Sequence, residues 1–271
     1  MQQFTIGYRE STIAYLKGGN GTDVLLCLHG YGESAGSFSF LEQHLEDEFT
    51  IYAIDLPFHG QTNWQEGFTL EPGALLEIIS SIIPGFQNRQ VTLLCYSMGG
   101  RIGLHFYQQN PDRFRKLVLL APDGLKINFW YWLATQTSPG NALFRFTMTH
   151  PGWFTKMTDW LRSRKLINTS IAKFVHAYMD DEKVRTDLYR IWTTMRKFRP
   201  QLSRIKKLIH QHKTELVQVF GEYDRIILPE NSKKLSQPDE AFVKTVVLKA
   251  GHQLLKEKQQ EMIAHLIKAR S

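Results

Sequence analysis

"VTLLCYSMGGRIGLHFY", residues 91–107, changes character at its middle. Val91 to Cys95 is an apolar, β-prone run of the kind found in strands covered on both faces. From Gly99 the pattern suits a helix, with Ile102, Leu104, His105 and Tyr107 following two adjacent glycines. Ser97 stands at the join. A sharp strand-to-helix turn there lifts its hydroxyl above the strand ends. The same turn aims the first amides of the helix at that space, and Gly99 and Gly100 let the helix pass close to the sheet.

Outward from this segment the alternation repeats. Residues 3–8 and 11–16 bracket a turn and read as a β-hairpin. "DVLLCLHG" (23–30), "FTIYAIDLP" (49–57) and "FRKLVLLAP" (114–122) read as strands, and 37–47 and 71–83 as helices. After residue 122 the rhythm breaks: 123–213 holds no convincing strand, only apolar and aromatic residues at helical spacing interrupted by Pro139, Pro151 and Pro200. Alternation returns with a strand at 214–224, a helix near 229–237, a strand at 241–251 and a last helix over 253–269. Strands alternating with helices imply an α/β fold, a mostly parallel eight-stranded sheet with helices on both faces. Residues 1–122 and 214–271 then form the core, and 123–213 an inserted helical cap.

The 271 residues, 42% hydrophobic, suffice for one α/β core with an insertion and exclude a disordered chain. No apolar run nears the roughly 20 residues that span a bilayer. The start, "MQQFTIGYRES", has no signal-peptide pattern, and two cysteines make no disulfide framework, so a cytoplasmic setting is expected. The formal charge of +7 is uneven: residues 141–213 hold 16 Lys/Arg and 5 Asp/Glu, a net of +11, against −4 elsewhere. Solvated helix faces are the plain reading of that excess, and attraction of anionic substrates or an acidic surface the sharper one.

The chemistry-bearing residues fall at strand ends, where open α/β sheets hold their sites. His29 and Gly30 end the third strand, Asp55 the fourth, Ser97 the fifth, Asp123 the sixth and Asp224 the seventh, and His252 follows the eighth. A serine hydroxyl attacks only when a base takes its proton, and a carboxylate must hold that base in the useful tautomer. Ser97, His252 and Asp224 supply these roles in the chain order Ser…Asp…His. Asp123 is the alternative acid. The backbone N–H groups of Tyr31 and Met98 are the candidate oxyanion donors.

"CLHGYGES", "DLPFHGQT", "CYSMGGR", "GEYDRIILP" and "AGHQLL" together resemble an α/β-hydrolase-fold enzyme with a helical cap between the sixth and seventh strands. The resemblance runs through nearly the whole chain in order. It implies Ser97 as nucleophile, His252 as base, Asp224 as orienting acid, and Tyr31 and Met98 as oxyanion donors. Two positions depart from the family pattern. Cys95 stands where glycine usually precedes the serine by two, and Phe58 replaces the first glycine of Asp-x-Pro-Gly-His-Gly. Phe58 is expected to wall the pocket. "YSMGGR" is also similar to the serine segment of the menaquinone-pathway synthase that eliminates pyruvate to give 2-succinyl-6-hydroxy-2,4-cyclohexadiene-1-carboxylate. In that reading Arg101 grips a substrate carboxylate; otherwise it is a surface arginine.

The aromatic stretch 128–165 is expected chiefly to pack the cap onto the core, with Trp130 and Trp153 lining the substrate pocket. Its mixture of basic and aromatic residues also admits a membrane-touching face as the lesser reading. His29, Asp55 and His59 read as loop braces, and Cys27 and Cys95 as buried thiols. No metal-ligand spacing and no phosphate-binding glycine loop occurs, so neither metal nor cofactor is expected. Nor is nucleic acid, since no binding module accompanies the charge. The expected activity is serine-dependent hydrolysis of a small ester, thioester or related acyl substrate, anionic ones included, through an acyl-enzyme. The alternatives are a cofactor-free lyase or C–C bond hydrolase acting on a carboxylate-bearing substrate, and a non-catalytic binding module.

Overall fold

The computed structural model describes residues 1–126, 129–236 and 241–269. Its strands are β1 (Gln2–Tyr8), β2 (Ser11–Gly18), β3 (Asp23–Leu28), β4 (Phe49–Ile54), β5 (Val91–Tyr96), β6 (Phe114–Leu120), β7 (Glu215–Gly221) and β8 (Val243–Leu248). The helices are α1 (Glu42–Leu45), α2 (Pro72–Ile82), α3 (Met98–Gln109), α4 (Phe129–Gln136), α5 (Ser138–Thr149), α6 (Gly152–Ser163), α7 (Thr169–Met179), α8 (Glu182–Thr194), α9 (Leu202–His212) and α10 (Glu257–Lys268). The strands form one sheet in the order β1-β2-β4-β3-β5-β6-β7-β8. β1, β2 and β4 pair antiparallel, and every pair from β4 to β8 is parallel.

Burial explains the long apolar runs. The last five residues of β3, all of β5 and six of the seven in β6 are buried, as sheet strands covered on both faces must be. One face packs Leu25, Cys27, Ala53, Leu94 and Val118 under Phe38, Leu41, Leu45 and the α10 residues Ile263, Ala264 and Ile267. On the other side α3 lies against β5 and β6, and α9 packs on α3. Chain order reverses direction at β3: β4 lies on one side of it and β5 on the other. That switch point opens a crevice beyond the carboxyl ends of β3 and β5, where Ser97 and His29 lie.

Several elements are shorter than the sequence pattern suggests. Residues 35–41 form 3₁₀ turns that run into the four-residue α1, and 229–234 are 3₁₀ turns rather than a helix. Residue 237, the last of that expected helix, lies outside the described residues, as do 127 and 128 of the expected insertion.

The chain divides into two compact units: Met1–Glu66, Leu70–Lys126 and Phe198–Ser271 in the first, and Gly67–Thr69 with Ile127–Lys197 in the second. The second unit is therefore narrower than 123–213. Helix α9 belongs to the first, because Ile205 and Ile209 are fully buried there and the helix packs on α3. Within the second unit α4 packs on α5, α5 on α8, and α7 on α6 and α8. Pro139 opens α5 and Pro151 caps α6, positions where a missing N–H costs nothing. Among the described residues no helix is long and apolar enough to cross a membrane.

Candidate active site

The turn after β5 fixes the site. Ser97 has φ 49° and ψ −114°, a conformation a non-glycine residue holds at a cost of order 1–3 kcal/mol. Its neighbours hold it there. The Ser97 N–H donates to the Leu120 carbonyl at 2.9 Å, and the Ser97 carbonyl accepts from Gly100 and Asp123 N–H, both at 2.8 Å. A Cβ on Gly99 would run into the Leu28 carbonyl, and one on Gly100 into Pro122, so both glycines are needed for the helix to sit this close to the sheet.

Opposite the serine, the loop after β8 brings His252. Its Nε2 lies 2.9 Å from Ser97 Oγ, and its Nδ1 lies 2.8 Å from Asp224 Oδ2. The Asp224 carboxylate is fully buried and also accepts the Ile226 and Ile227 N–H groups on Oδ1, at 2.7 and 3.0 Å. An ionised carboxylate only accepts, so His252 Nδ1 carries the proton and Nε2 presents a lone pair to the serine hydroxyl. The arrangement can pass a proton from Oγ to the imidazole and stabilise the resulting imidazolium. Asp123 is directed elsewhere: its carboxylate pairs with Arg101 and accepts the Gly124 N–H.

Met98 is the first residue of α3, so its N–H is among the first-turn donors with no acceptor inside the helix. Tyr31 follows Gly30, whose α-carbon is so near the turn that an added Cβ would lie 3.0 Å from Ser97 Cβ. His29 braces this loop. The Leu56 N–H donates to its Nε2 at 3.0 Å, which leaves the proton on Nδ1 to donate to the Gly30 carbonyl at 2.8 Å. Burial, reinforced by the His59 ring 4.8 Å away, pushes His29 down to about 3, so it stays neutral and keeps both bonds. Asp55 ties the same region together by accepting Ala35 N–H at 2.6 Å and Gln61 N–H at 2.8 Å.

A sequence profile for the alpha/beta hydrolase fold matches residues 23–185, more than half of the chain. The chain belongs to the α/β-hydrolase family. The uncharacterized hydrolase YugF of Bacillus subtilis is 26% identical over 249 residues, covering 91% of this chain and 89% of that protein. A putative 2-succinyl-6-hydroxy-2,4-cyclohexadiene-1-carboxylate synthase, also of B. subtilis, is 33% identical over 104 residues, 38% of each chain. Among solved structures, a thermophilic esterase from Thermogutta terrifontis superposes with a TM-score of 0.66 at 16% identity, covering 99% of this chain and 97% of that one. This α/β-hydrolase is thus an enzyme whose relatives carry the names of a hydrolase, a methyl ester esterase and a putative synthase.

The two departures from the family pattern have local explanations. Phe58 adopts φ 64°, the left-handed conformation that glycine takes freely, and its turn is closed by the His59 N–H donating to the Leu56 carbonyl. Phe58 is half-buried. Cys95 packs on α3, where a Cβ at Gly103 would strike its Sγ. Cys27 is opposite Leu94, and Leu28 opposite Cys95, so the two thiols point to opposite faces of the sheet. Burial raises the pKa of both, and neither is poised for redox chemistry.

Arg101, one turn into α3, is mostly buried and ion-paired with Asp123. Trp130 and Trp153 lie on α4 and α6 in the second unit, 71% and 39% exposed, and the Ser97 constellation is assembled without them. One site residue escaped the sequence reading. Tyr96 is buried, its hydroxyl donates to the His252 carbonyl at 3.2 Å, and its ring centroid lies 5.5 Å from the imidazole. A tyrosine at the last position of a buried strand, next to the serine, was the available signal, because a buried phenol needs a partner.

Proposed function

We propose that the protein hydrolyses a small ester, thioester or related acyl substrate by covalent catalysis at Ser97. The observation that carries this reading is the unbroken relay from Asp224 through His252 to Ser97 Oγ, with contacts of 2.8 and 2.9 Å. Ser97 Oγ attacks the acyl carbon while its proton passes to His252 Nε2, and Asp224 stabilises the imidazolium. The Tyr31 and Met98 N–H groups receive the oxyanion, each donor worth about 3 kcal/mol. His252 then protonates the departing oxygen or sulfur. In the second half it takes a proton from water, which attacks the acyl-enzyme and releases the acid. Ionised substrates are accommodated by Arg101 in exchange for Asp123. The two buried free thiols fit a cytoplasmic setting.

The lyase reading is favoured by one specific observation, the local 33% identity with the cyclohexadiene-carboxylate synthase. There His252 would abstract a proton from a carboxylate-bearing substrate with no acyl-enzyme. Rapid-mixing kinetics with p-nitrophenyl acetate separate the two. The hydrolase reading expects ester turnover with an initial burst of p-nitrophenol, and neither in Ser97→Ala. Rapid turnover of the synthase's substrate with no ester hydrolysis would establish the lyase instead. Inertness towards both, with tight binding of a specific ligand, would leave a binding module.

A further inference from the structure

The second unit buries Met148, Leu188, Ile191 and Met195, yet it also buries hydroxyls and leaves large apolar side chains outside. Among its described residues the buried positions include Thr135, Thr147, Thr158, Thr193 and Thr194. The hydroxyls of the first three are satisfied by the carbonyl four residues earlier, at 2.7 to 2.8 Å. Large apolar side chains lie outside: Phe129, Trp130 and Trp132 on α4, and Trp153, Met157 and Trp160 on α6, are each between 39% and 71% exposed.

On α6 the exposed residues are ordered. Trp153, Met157 and Trp160 are spaced four and three apart and stack on one face. Lys156 and Arg164 fall on the same side, the whole set spanning an arc of about 100° at 3.6 residues per turn. Thr158 and Phe154 occupy the opposite side, turned into the unit. Arg164 stacks over Trp160, 5.5 Å from its ring centroid. Residues 152–166 carry four Lys/Arg and one acid, Asp159, which is engaged by Arg162 and His176. A solvated helix face has no use for two tryptophans and a methionine. Arg164 falls within the apolar stripe and Lys156 at its edge, which suits a charged surface better than an apolar protein partner.

We infer that this face of α6 docks the protein on a lipid surface carrying anionic headgroups. Trp153, Met157 and Trp160 enter the headgroup–acyl boundary, where indole rings partition favourably. Lys156 and Arg164 meet the headgroup phosphates, each with about a fivefold effect on partition. This docking is independent of the reaction at Ser97.

The test is sedimentation of the full chain with sucrose-loaded vesicles of phosphatidylcholine alone or with one-quarter phosphatidylglycerol, alongside tryptophan quenching by brominated acyl chains. Ser97→Ala serves as a variant in which docking should persist. Binding to the anionic vesicles is expected, weakened several-fold in 0.5 M salt and at least about tenfold in Trp153→Ala/Trp160→Ala. Both positions are exposed, so that variant should keep the wild-type circular dichroism and melting temperature. Arg164→Glu is the independent second variant and should lose anionic-vesicle binding while leaving the tryptophans in place. Failure of the wild type to sediment with either vesicle overturns the inference, as does binding unchanged in both variants. Light scattering that shows a dimer broken by the tryptophan substitutions, without vesicle binding, assigns the face to a second copy and equally overturns it.

Discussion

His29 makes acid destabilise this protein in a calculable way. In the folded state it is fully buried, with its pKa pushed down to about 3 by burial and by the neighbouring His59. In the unfolded chain it titrates near 6.5. Between those values the unfolded state binds a proton that the folded state refuses, so stability falls as pH drops below 6.5. Lowering the pH from 7 to 5 should therefore remove about 2 kcal/mol through this one group, at about 1.4 kcal/mol per pH unit. The loss should continue towards pH 3, where the folded protein also begins to accept the proton. Other groups titrate in the same range, so the informative quantity is a difference. His29→Gln keeps an uncharged side chain that can still accept the Leu56 N–H, but it cannot titrate. The variant will be less stable at pH 7 because the cavity is shaped for a ring. Its pH dependence should nonetheless be flatter than wild type by about 2 kcal/mol between pH 7 and 5. Urea unfolding followed by tryptophan fluorescence at pH 7, 6 and 5 measures both slopes. Parallel slopes would show that His29 is not held neutral. The bonds from Leu56 and to Gly30 would then not have the polarity deduced here.

Two substitutions probe how the carboxylates divide their work. Asp224→Asn should leave the fold intact but lower kcat by about 10³–10⁴-fold, because an amide that donates to Nδ1 turns the imidazole to the wrong tautomer; a loss below tenfold on p-nitrophenyl acetate would mean that another group orients His252. Asp123→Asn should release Arg101 and raise kcat/KM for anionic esters relative to neutral ones by several-fold, and an unchanged ratio across a matched ester pair would remove Arg101 from substrate recognition.

The sheet and the serine turn were readable because their signals are local. An apolar run covered on both faces, a serine and two glycines can be read within 17 residues, and the glycines are required by the Leu28 carbonyl and Pro122 close behind them. The choice between Asp123 and Asp224 was harder. Both end adjacent strands, and only the path of the loops shows that one meets His252 and the other Arg101. The extent of the insertion was illegible for a different reason. Ile205 and Ile209 repeat with the same helical period as the residues before them, and periodicity does not say which body a helix packs against. The cysteines show the value of register. Two residues before a site residue on neighbouring strands suggests proximity, yet a one-residue offset in pairing puts the thiols on opposite faces. The outward tryptophans of α6 defeat pattern reading altogether, because a helix that presents its apolar stripe to solvent looks in sequence like one that buries it.

The relay from Asp224 to Ser97 is tested most directly by reaction with a fluorophosphonate, followed by intact mass and peptide mapping. The expected result is one phosphonyl adduct per chain, on Ser97, absent in Ser97→Ala and formed at least about a hundredfold more slowly in His252→Ala. A wild-type protein left unmodified under conditions that label a control serine hydrolase, or an adduct on any other residue, would contradict it.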